Sequence, residues 1–296
     1  MIQSIIDQAK ASGAIAVGFS RPAEPLYFDH FLQWLADEKY GKMNWIKNHL
    51  ETRRNPDLLL PGCRTIVSLA FPYPSEKPMT PDGFSVARYV NPRALDYHQR
   101  LRTICRPLLS LLENQYPGSR SRICIDSAPI LEKSWALQAG LGFIGKNNLL
   151  IIPEYGSFLY LAEIVTTAPI EFKEAGHLEN QCGACTQCLD ACPTNALEKP
   201  FYLNAGQCLS YLTIEDRAPL PPDLGVKMGN CFLGCDRCQE VCPFNKPQSR
   251  PARPVLPDIA TFLNMNTEEF EDQYGKSALS RAGLEKIKTN IRAIKK

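Results

Sequence analysis

Eight of the twelve cysteines in this 296-residue chain form one frame between Cys182 and Cys242. Cys182, Cys185, Cys188 and Cys192, the last followed by Pro193, give the spacing C-x2-C-x2-C-x3-C-P. Three cysteines two residues apart on a tight loop place three thiolates on corners of one iron–sulfur cube, and the fourth corner comes from elsewhere. A second copy, Cys235, Cys238 and Cys242-Pro243, lacks its first cysteine, and Cys208 stands upstream in that role. Eight thiolates suit two [4Fe-4S] clusters. In two-cluster proteins the cysteine before the proline ligates the other cluster. The expected sets are therefore Cys182, Cys185, Cys188 and Cys242 on one cube, and Cys192, Cys208, Cys235 and Cys238 on the other. Zinc sites use pairs separated by a longer span and have no need of the C-x3-C-P endings. The chemistry implied is transfer of single electrons at low potential.

A second candidate group is Asp126, in Asp126-Ser-Ala-Pro129 at the end of an expected strand over 120–125. Two readings are open. In open α/β sheets ligands bind beyond the carboxyl ends of strands, which makes Asp126 a candidate acid or base. Asp126 also reads as a cap, with Ser127 the alternative cap of a helix beginning at Pro129. Gly140, Gly142, Gly145 and Lys146 resemble a phosphate loop, but Asn147 stands where Ser or Thr is required. These glycines read better as places where backbone approaches a bulky ligand.

The elements around these groups alternate helix and strand. Ile2, Ile5, Ile6 and Ala9 lie at helical spacing before Gly13; a strand follows over 14–19, and a helix over 28–38. Residues 65–71 read as a buried strand, and a helix is expected from about 99 to 114, kinked or restarted at Pro107. Segments 149–152 and 157–165 read as a hairpin closing the first domain. Beyond the cysteines, 248–257 is proline-rich and reads as an extended connection, and Asn266-Thr-Glu-Glu269 is a capping-box start. Cys63, Cys105 and Cys124 lie in apolar surroundings and read as small buried hydrophobes.

Composition is that of an ordinary globular chain, with a formal net charge of +2. No apolar run spans a bilayer, and the start of the chain has no basic region followed by an apolar core, so a cytoplasmic location is expected. From Lys276 to Lys296 seven basic residues face one acidic residue. That tail is either a solvated helix face or a contact for a polyanion.

Taken together, Leu60-Pro-Gly62, Ala87-Arg-Tyr89, Asp96-Tyr-His98, Asp126-Ser-Ala-Pro129, Gly140 to Asn147, Cys208 to Glu215, Gly234 to Gln239 and Ser277 to Arg281 resemble the epoxyqueuosine reductases. The resemblance runs from about Arg53 to Ala293, and Cys231 stands where that family carries arginine. It implies a mixed α+β or α/β fold, with a nitroreductase-like cobalamin-binding domain over 1–170. A ferredoxin-like 2[4Fe-4S] domain over 171–250 and a helical, basic segment over 251–296 would follow. It implies base-off cobalamin beside the two clusters, an external low-potential electron donor, and tRNA with a GUN anticodon carrying epoxyqueuosine as substrate. A monomer without membrane contact is the family's expectation.

By the same resemblance Asp126 is the proton donor, and burial beside the corrin would have to raise its pKa. Corrin contacts are expected from Arg53, Tyr89, Asp96, Tyr97, His98, Asp126, Gly145, Lys146, Asn147, Ser157, Ser210, Cys235 and Asp236. His98 reads equally as a histidine packed at a helix start. Contacts to tRNA are expected from Tyr211, Thr213, Glu215 and Arg217, with Tyr211 either stacking on a base or packing in the core. Two other readings stand beside this one: a corrinoid reductive dehalogenase, and a two-cluster electron carrier without catalysis.

Overall fold

A computed structural model describes residues 1–74, 76–245 and 255–294. Most of the proline-rich connection, and the last two lysines of the tail, lie outside the described residues. The strands are β1 (Ala16–Ser20), β2 (Thr65–Pro72), β3 (Ser85–Val86), β4 (Ser121–Cys124) and β5 (Phe143–Ile144), then β6 (Leu150–Ile151), β7 (Leu159–Thr166), β8 (Leu197–Lys199), β9 (Tyr202–Leu203) and β10 (Cys231–Leu233). The main sheet has the order β1-β2-β7-β4, with every neighbouring pair antiparallel.

This arrangement corrects the reading of Asp126 from the strand-end rule, which belongs to parallel sheets. Asp126 still occupies a shared edge. Strands β2 and β4 both run antiparallel to β7, so the turn after β4 lies at the end of the sheet where β2 finishes and β7 begins. The expected hairpin is also corrected: β6 pairs with β5, and β7 lies between β2 and β4. A long, almost wholly buried strand such as β7 gains more by pairing on both sides than by closing a local hairpin.

One face of the sheet, with Val67, Leu69, Phe71, Ala162 and Ile164, packs against Ile5 and Ala9 of helix Ile2–Ala11 and against Leu101, Cys105, Leu108 and Leu112 of helix Tyr97–Gln115. That second helix runs through Pro107 without a restart. Pro107 and Thr103, whose carbonyl loses its partner there, are both exposed, so the missing bond falls on the solvent side of the helix where it costs least. The opposite face is covered by helix Glu132–Gln138 and the residues after it, through Trp135, Ala136 and Ala139. The helix begins later than expected, with Leu131 at the cap position, and the Ser127 hydroxyl turns back to the Ile125 carbonyl. Neither Ser127 nor Asp126 caps it. Contact is close here: a Cβ on Gly18 would lie 2.3 Å from the Ala139 carbonyl.

A second core joins Val86, Val90, Ile214, Phe232 and Leu233 to Phe262, Phe270, Leu279, Ile287 and Ile291 of the C-terminal helices. The capping box forms as expected, with Asn266 accepting from the Glu269 N–H and Glu269 accepting from the Asn266 N–H. Of the basic tail, Lys286 is buried with its ammonium on the Ala218 carbonyl, so this helix is no simple solvated face. Asn290, fully buried, donates to the carbonyls of Thr213 and Phe232, both at 2.9 Å. Asn290→Ala strands both carbonyls and should cost about 2–4 kcal/mol in a denaturant titration; a loss under about 0.5 kcal/mol would contradict this.

Candidate active site and cluster loops

The cysteine loops are shaped to hold thiolates. Burial would push the Cys192 thiol up, but backbone N–H groups of Leu197, Thr194 and Ala196 hold it below its usual value. The Ala196 N–H lies 3.2 Å from its sulfur. Backbone N–H groups of Tyr211 and Ser210 also reach Cys208, and those of Phe244 and Asn245 reach Cys242, although burial outweighs them and leaves both thiols above their usual value. Cys242 lies within electrostatic reach of Cys182 and Cys185, while Cys238 has Cys235, Cys208, Cys188 and Cys192 around it. No three His, Cys, Asp or Glu side chains among the described residues converge as a single ion requires. Thiols spread over two groups with N–H donors to sulfur fit cubane clusters. Cys231 lies within electrostatic reach of Cys235, its thiol donating to the Leu233 and Gly234 carbonyls and pushed up to about 11 by burial.

These loops meet the first domain along a polar seam. Lys146 donates to the carbonyls of Gly183 (2.6 Å) and Cys185 (2.9 Å), and Asn147 to that of Cys238 (3.3 Å). Ser157 is buried; its N–H donates to Asn245 at 2.7 Å, and its hydroxyl accepts from Asn245 and Gln239. Asp236, also buried, accepts from the Arg88 N–H at 2.8 Å and lies 3.5 Å from the Lys77 ammonium. Arg53 reaches the Ile130 carbonyl, just past the Asp126 turn. Cβ atoms on Gly140 and Gly142 would strike the Ala175 side chain and the Ile151 carbonyl, so these two glycines admit close approach of the protein's own chain.

At the sheet edge, Asp126 sits at φ +48°, and the Ser127 N–H donates to the Ile125 carbonyl at 2.5 Å. This is a γ-turn of the strained, positive-φ kind, with a local cost of about 1–3 kcal/mol. One carboxylate oxygen, Oδ2, accepts from the Tyr97 hydroxyl at 2.6 Å and lies 3.0 Å from His98 Nε2. His98 Nδ1 lies 2.5 Å from Asp96, which also accepts the His98 N–H and so caps the helix. His98 thus stands packed at the start of its helix, which is one of the two readings of its position. Tyr97 stacks on Tyr160 and meets Tyr89 edge-on, so aromatic rings back the carboxylate.

The charges differ from expectation. Burial opposes a charge on His98, but hydrogen bonds and attraction from Asp126 and Asp96 raise its pKa to about 9. Burial would raise the Asp126 carboxyl, yet the bonds from His98 and Tyr97 and the charges of His98 and Arg281 hold it below its usual value. The Asp126 side chain is 49% exposed, too open for desolvation to win. The proton expected on Asp126 thus rests on His98. Two participants escaped the sequence reading. Arg281, from the C-terminal segment, places its charge near Asp126 while paired with Glu215 at 2.5 Å. Glu132 accepts the Asp126 N–H at 2.5 Å.

Of the expected tRNA contacts, Tyr211 and Thr213 are buried. The Tyr211 hydroxyl accepts the Lys42 N–H, and Thr213 accepts the Gly234 N–H, so neither presents a surface for stacking. Core packing prevails over base stacking at Tyr211. Glu215 is held by Arg281, and Arg217 donates to the Arg281 carbonyl from an exposed position, while Ser210, expected at the corrin, is partly buried.

A redox module packed on a mixed α/β sheet, with a carboxylate–imidazole pair at the sheet edge, defines an iron–sulfur oxidoreductase. The profile of 4Fe-4S double cluster binding domains matches residues 181–245, and that described as epoxyqueuosine reductase QueG, DUF1730, matches residues 53–127. The epoxyqueuosine reductase of Leadbetterella byssophila is 35% identical over 269 residues, covering 89% of this chain and 87% of that protein. The structure of epoxyqueuosine reductase from Streptococcus thermophilus superposes with a TM-score of 0.89 at 29% identity, over 99% of this chain and 80% of that one. A crystal structure of an epoxyqueuosine reductase with an epoxyqueuosine-modified tRNA stem loop gives 0.85 at 32% identity, with the same coverages. The chain belongs to the epoxyqueuosine reductase family.

The shifted groups make stability depend on pH in two windows. His98 is raised from 6.5 to about 9, so its contribution is complete below about pH 6.5 and is lost as pH rises through about 9. Asp126 and Asp96 are depressed from 3.8, so theirs is present above about pH 4 and is lost as pH falls through their lowered values. Urea titrations of His98→Gln should show the alkaline loss between pH 6.5 and 9 flattened relative to the unsubstituted protein; an unaltered slope there would contradict the shift.

Proposed function

We propose that this protein reduces epoxyqueuosine to queuosine at the wobble position of tRNA with a GUN anticodon, and that Asp126 hands the proton to the departing epoxide oxygen. One observation carries the reading: a half-exposed carboxylate at the tip of a strained turn, bonded through one oxygen to an imidazolium and a phenol. The net change removes the epoxide oxygen as water and leaves an alkene, consuming two electrons and two protons. Electrons from an external low-potential donor enter through clusters on Cys182, Cys185, Cys188 and Cys242 and on Cys192, Cys208, Cys235 and Cys238. The division into 1–170, 171–250 and 251–296, a cytoplasmic location and a monomeric state belong to the same proposal. Among the described residues no helix is long and apolar enough to cross a membrane.

Cobalamin in its base-off form would supply the reactivity that breaks the carbon–oxygen bond. Asn147, Ser157 and Asp236 spend their hydrogen bonds within the protein, so beside a corrin they would fix the position of its walls rather than reach its amides, with Tyr89 and Tyr97 offering apolar ring surface. The remaining steps belong to side chains. Asp96 holds His98 Nδ1, which fixes Nε2 on Asp126, as a carboxylate orients the imidazole of a catalytic triad. When negative charge develops on the substrate oxygen, one proton moves from His98 Nε2 to Asp126 Oδ2 and on to that oxygen, and the second proton, which releases it as water, comes from solvent through the same pair once His98 has been reprotonated. Tyr97 keeps the carboxylate aimed throughout. Arg281 and exposed Arg217 supply positive potential for the tRNA backbone.

Nucleosides from tRNA of a strain lacking the gene should contain epoxyqueuosine in place of queuosine; unchanged queuosine would contradict the assignment. Asp126→Asn, loaded with cobalamin and clusters, should lose about 100-fold or more in turnover while still binding tRNA. Full turnover by that variant would refute the acid role.

A further inference from the structure

We propose that Glu132 is a positioning residue for this reaction, its side chain latching the Asp126 turn in the conformation that presents the carboxylate to His98 and Tyr97. The inference rests on reading Asp126 as the acid. Asp126 occupies backbone space that non-glycine residues seldom adopt, and such a conformation persists only where its surroundings over-determine it. The carboxylate end is held by Tyr97 and His98, both from the start of helix Tyr97–Gln115. The backbone end is held by Glu132 Oε1, which accepts the Asp126 N–H from the first residue of helix Glu132–Gln138. The turn is thereby pinned from two elements on different sides of the sheet. Removing the second pin would let φ relax and swing Oδ2 away from the imidazole.

A glutamate in the first turn of a helix usually complements the helix dipole from solvent. Glu132 does something else. Burial, followed by repulsion from Asp126, raises its pKa to about 8, so its site does not favour the charge. Glu163 of β7, in register with Cys124, adds a second carboxyl in reach. It is 0% exposed, and neither of its oxygens has a hydrogen-bond partner, so it stays protonated. A carboxyl pair that sheds charge so readily is poorly suited to a salt bridge and well suited to accepting one N–H bond. An uncharged amide oxygen at position 132 would serve the latch equally.

The test compares Glu132→Ala, Glu132→Gln and Asp126→Asn in the reconstituted protein, by single-turnover conversion of epoxyqueuosine-tRNA and by hydrogen exchange of the peptide holding the 125–127 amides. Glu132→Ala should slow conversion by about 10–100-fold, with half-saturation by tRNA within about twofold, and should speed exchange of the Asp126 amide. Glu132→Gln should convert within about threefold of the unsubstituted rate and keep that amide protected; it also controls for folding. Unslowed conversion in Glu132→Ala beside an inactive Asp126→Asn would overturn the latch, as would equal losses in the Ala and Gln variants. If Asp126→Asn itself converts at full rate, the acid reading has failed instead. Exchange then decides, and an amide no faster in Glu132→Ala overturns the latch by itself.

Discussion

A single carboxylate oxygen, Asp126 Oδ2, accepts from a phenol and an imidazolium at once, and the working parts of the structure are arranged around that constraint. Two donors on one oxygen keep the group ionised although part of it is buried. In the proposed mechanism the proton is therefore stored next door. Asp96 makes His98 the store, because an imidazole between two carboxylates keeps its proton well past neutrality. An acid assembled as a pair in this way stays loaded over the whole physiological range, which a lone surface aspartate does not.

Around this pair the fold brings together segments far apart in the chain. Tyr97 and His98 open the helix on one face of the sheet, Glu132 opens the helix on the other, and Arg281 arrives from the C-terminal core. Lys146, Asn147 and Ser157 bind the cysteine loops directly to the residues around the sheet. The C-terminal helices fix the same region from below, since Asp96 donates its N–H to the Lys276 carbonyl while Arg281 bonds Glu215.

What was legible in the sequence is what short-range geometry dictates. The cysteine frame is written in spacings of two and three residues, and the capping box at Asn266 in an offset of three. The place of Asp126 after a short strand was also readable. Its charge was not, because the partners that set it lie 28 and 29 residues earlier and meet it only in the folded sheet. The antiparallel order of the sheet depends on pairing between β2 and β7, across most of the first domain, and no local pattern encodes that. Tyr211 read either as a stacking surface or as a core residue, and only the fold brings Gly41 against it, where a Cβ would lie 2.7 Å from its ring. At Gly140 and Gly142 the approaching surface is the protein's own backbone and side chains, which lie far from them in sequence or across a turn and leave no local signature.

The most direct test of this account is a single turnover of the protein reconstituted with cobalamin and both clusters, reduced, and mixed with tRNA carrying epoxyqueuosine, followed by mass analysis of the nucleosides. The account predicts one queuosine formed per active site, with the added mass of the epoxide oxygen gone. A protein that takes up cobalamin and accepts electrons through its clusters but returns the epoxyqueuosine unchanged would contradict it.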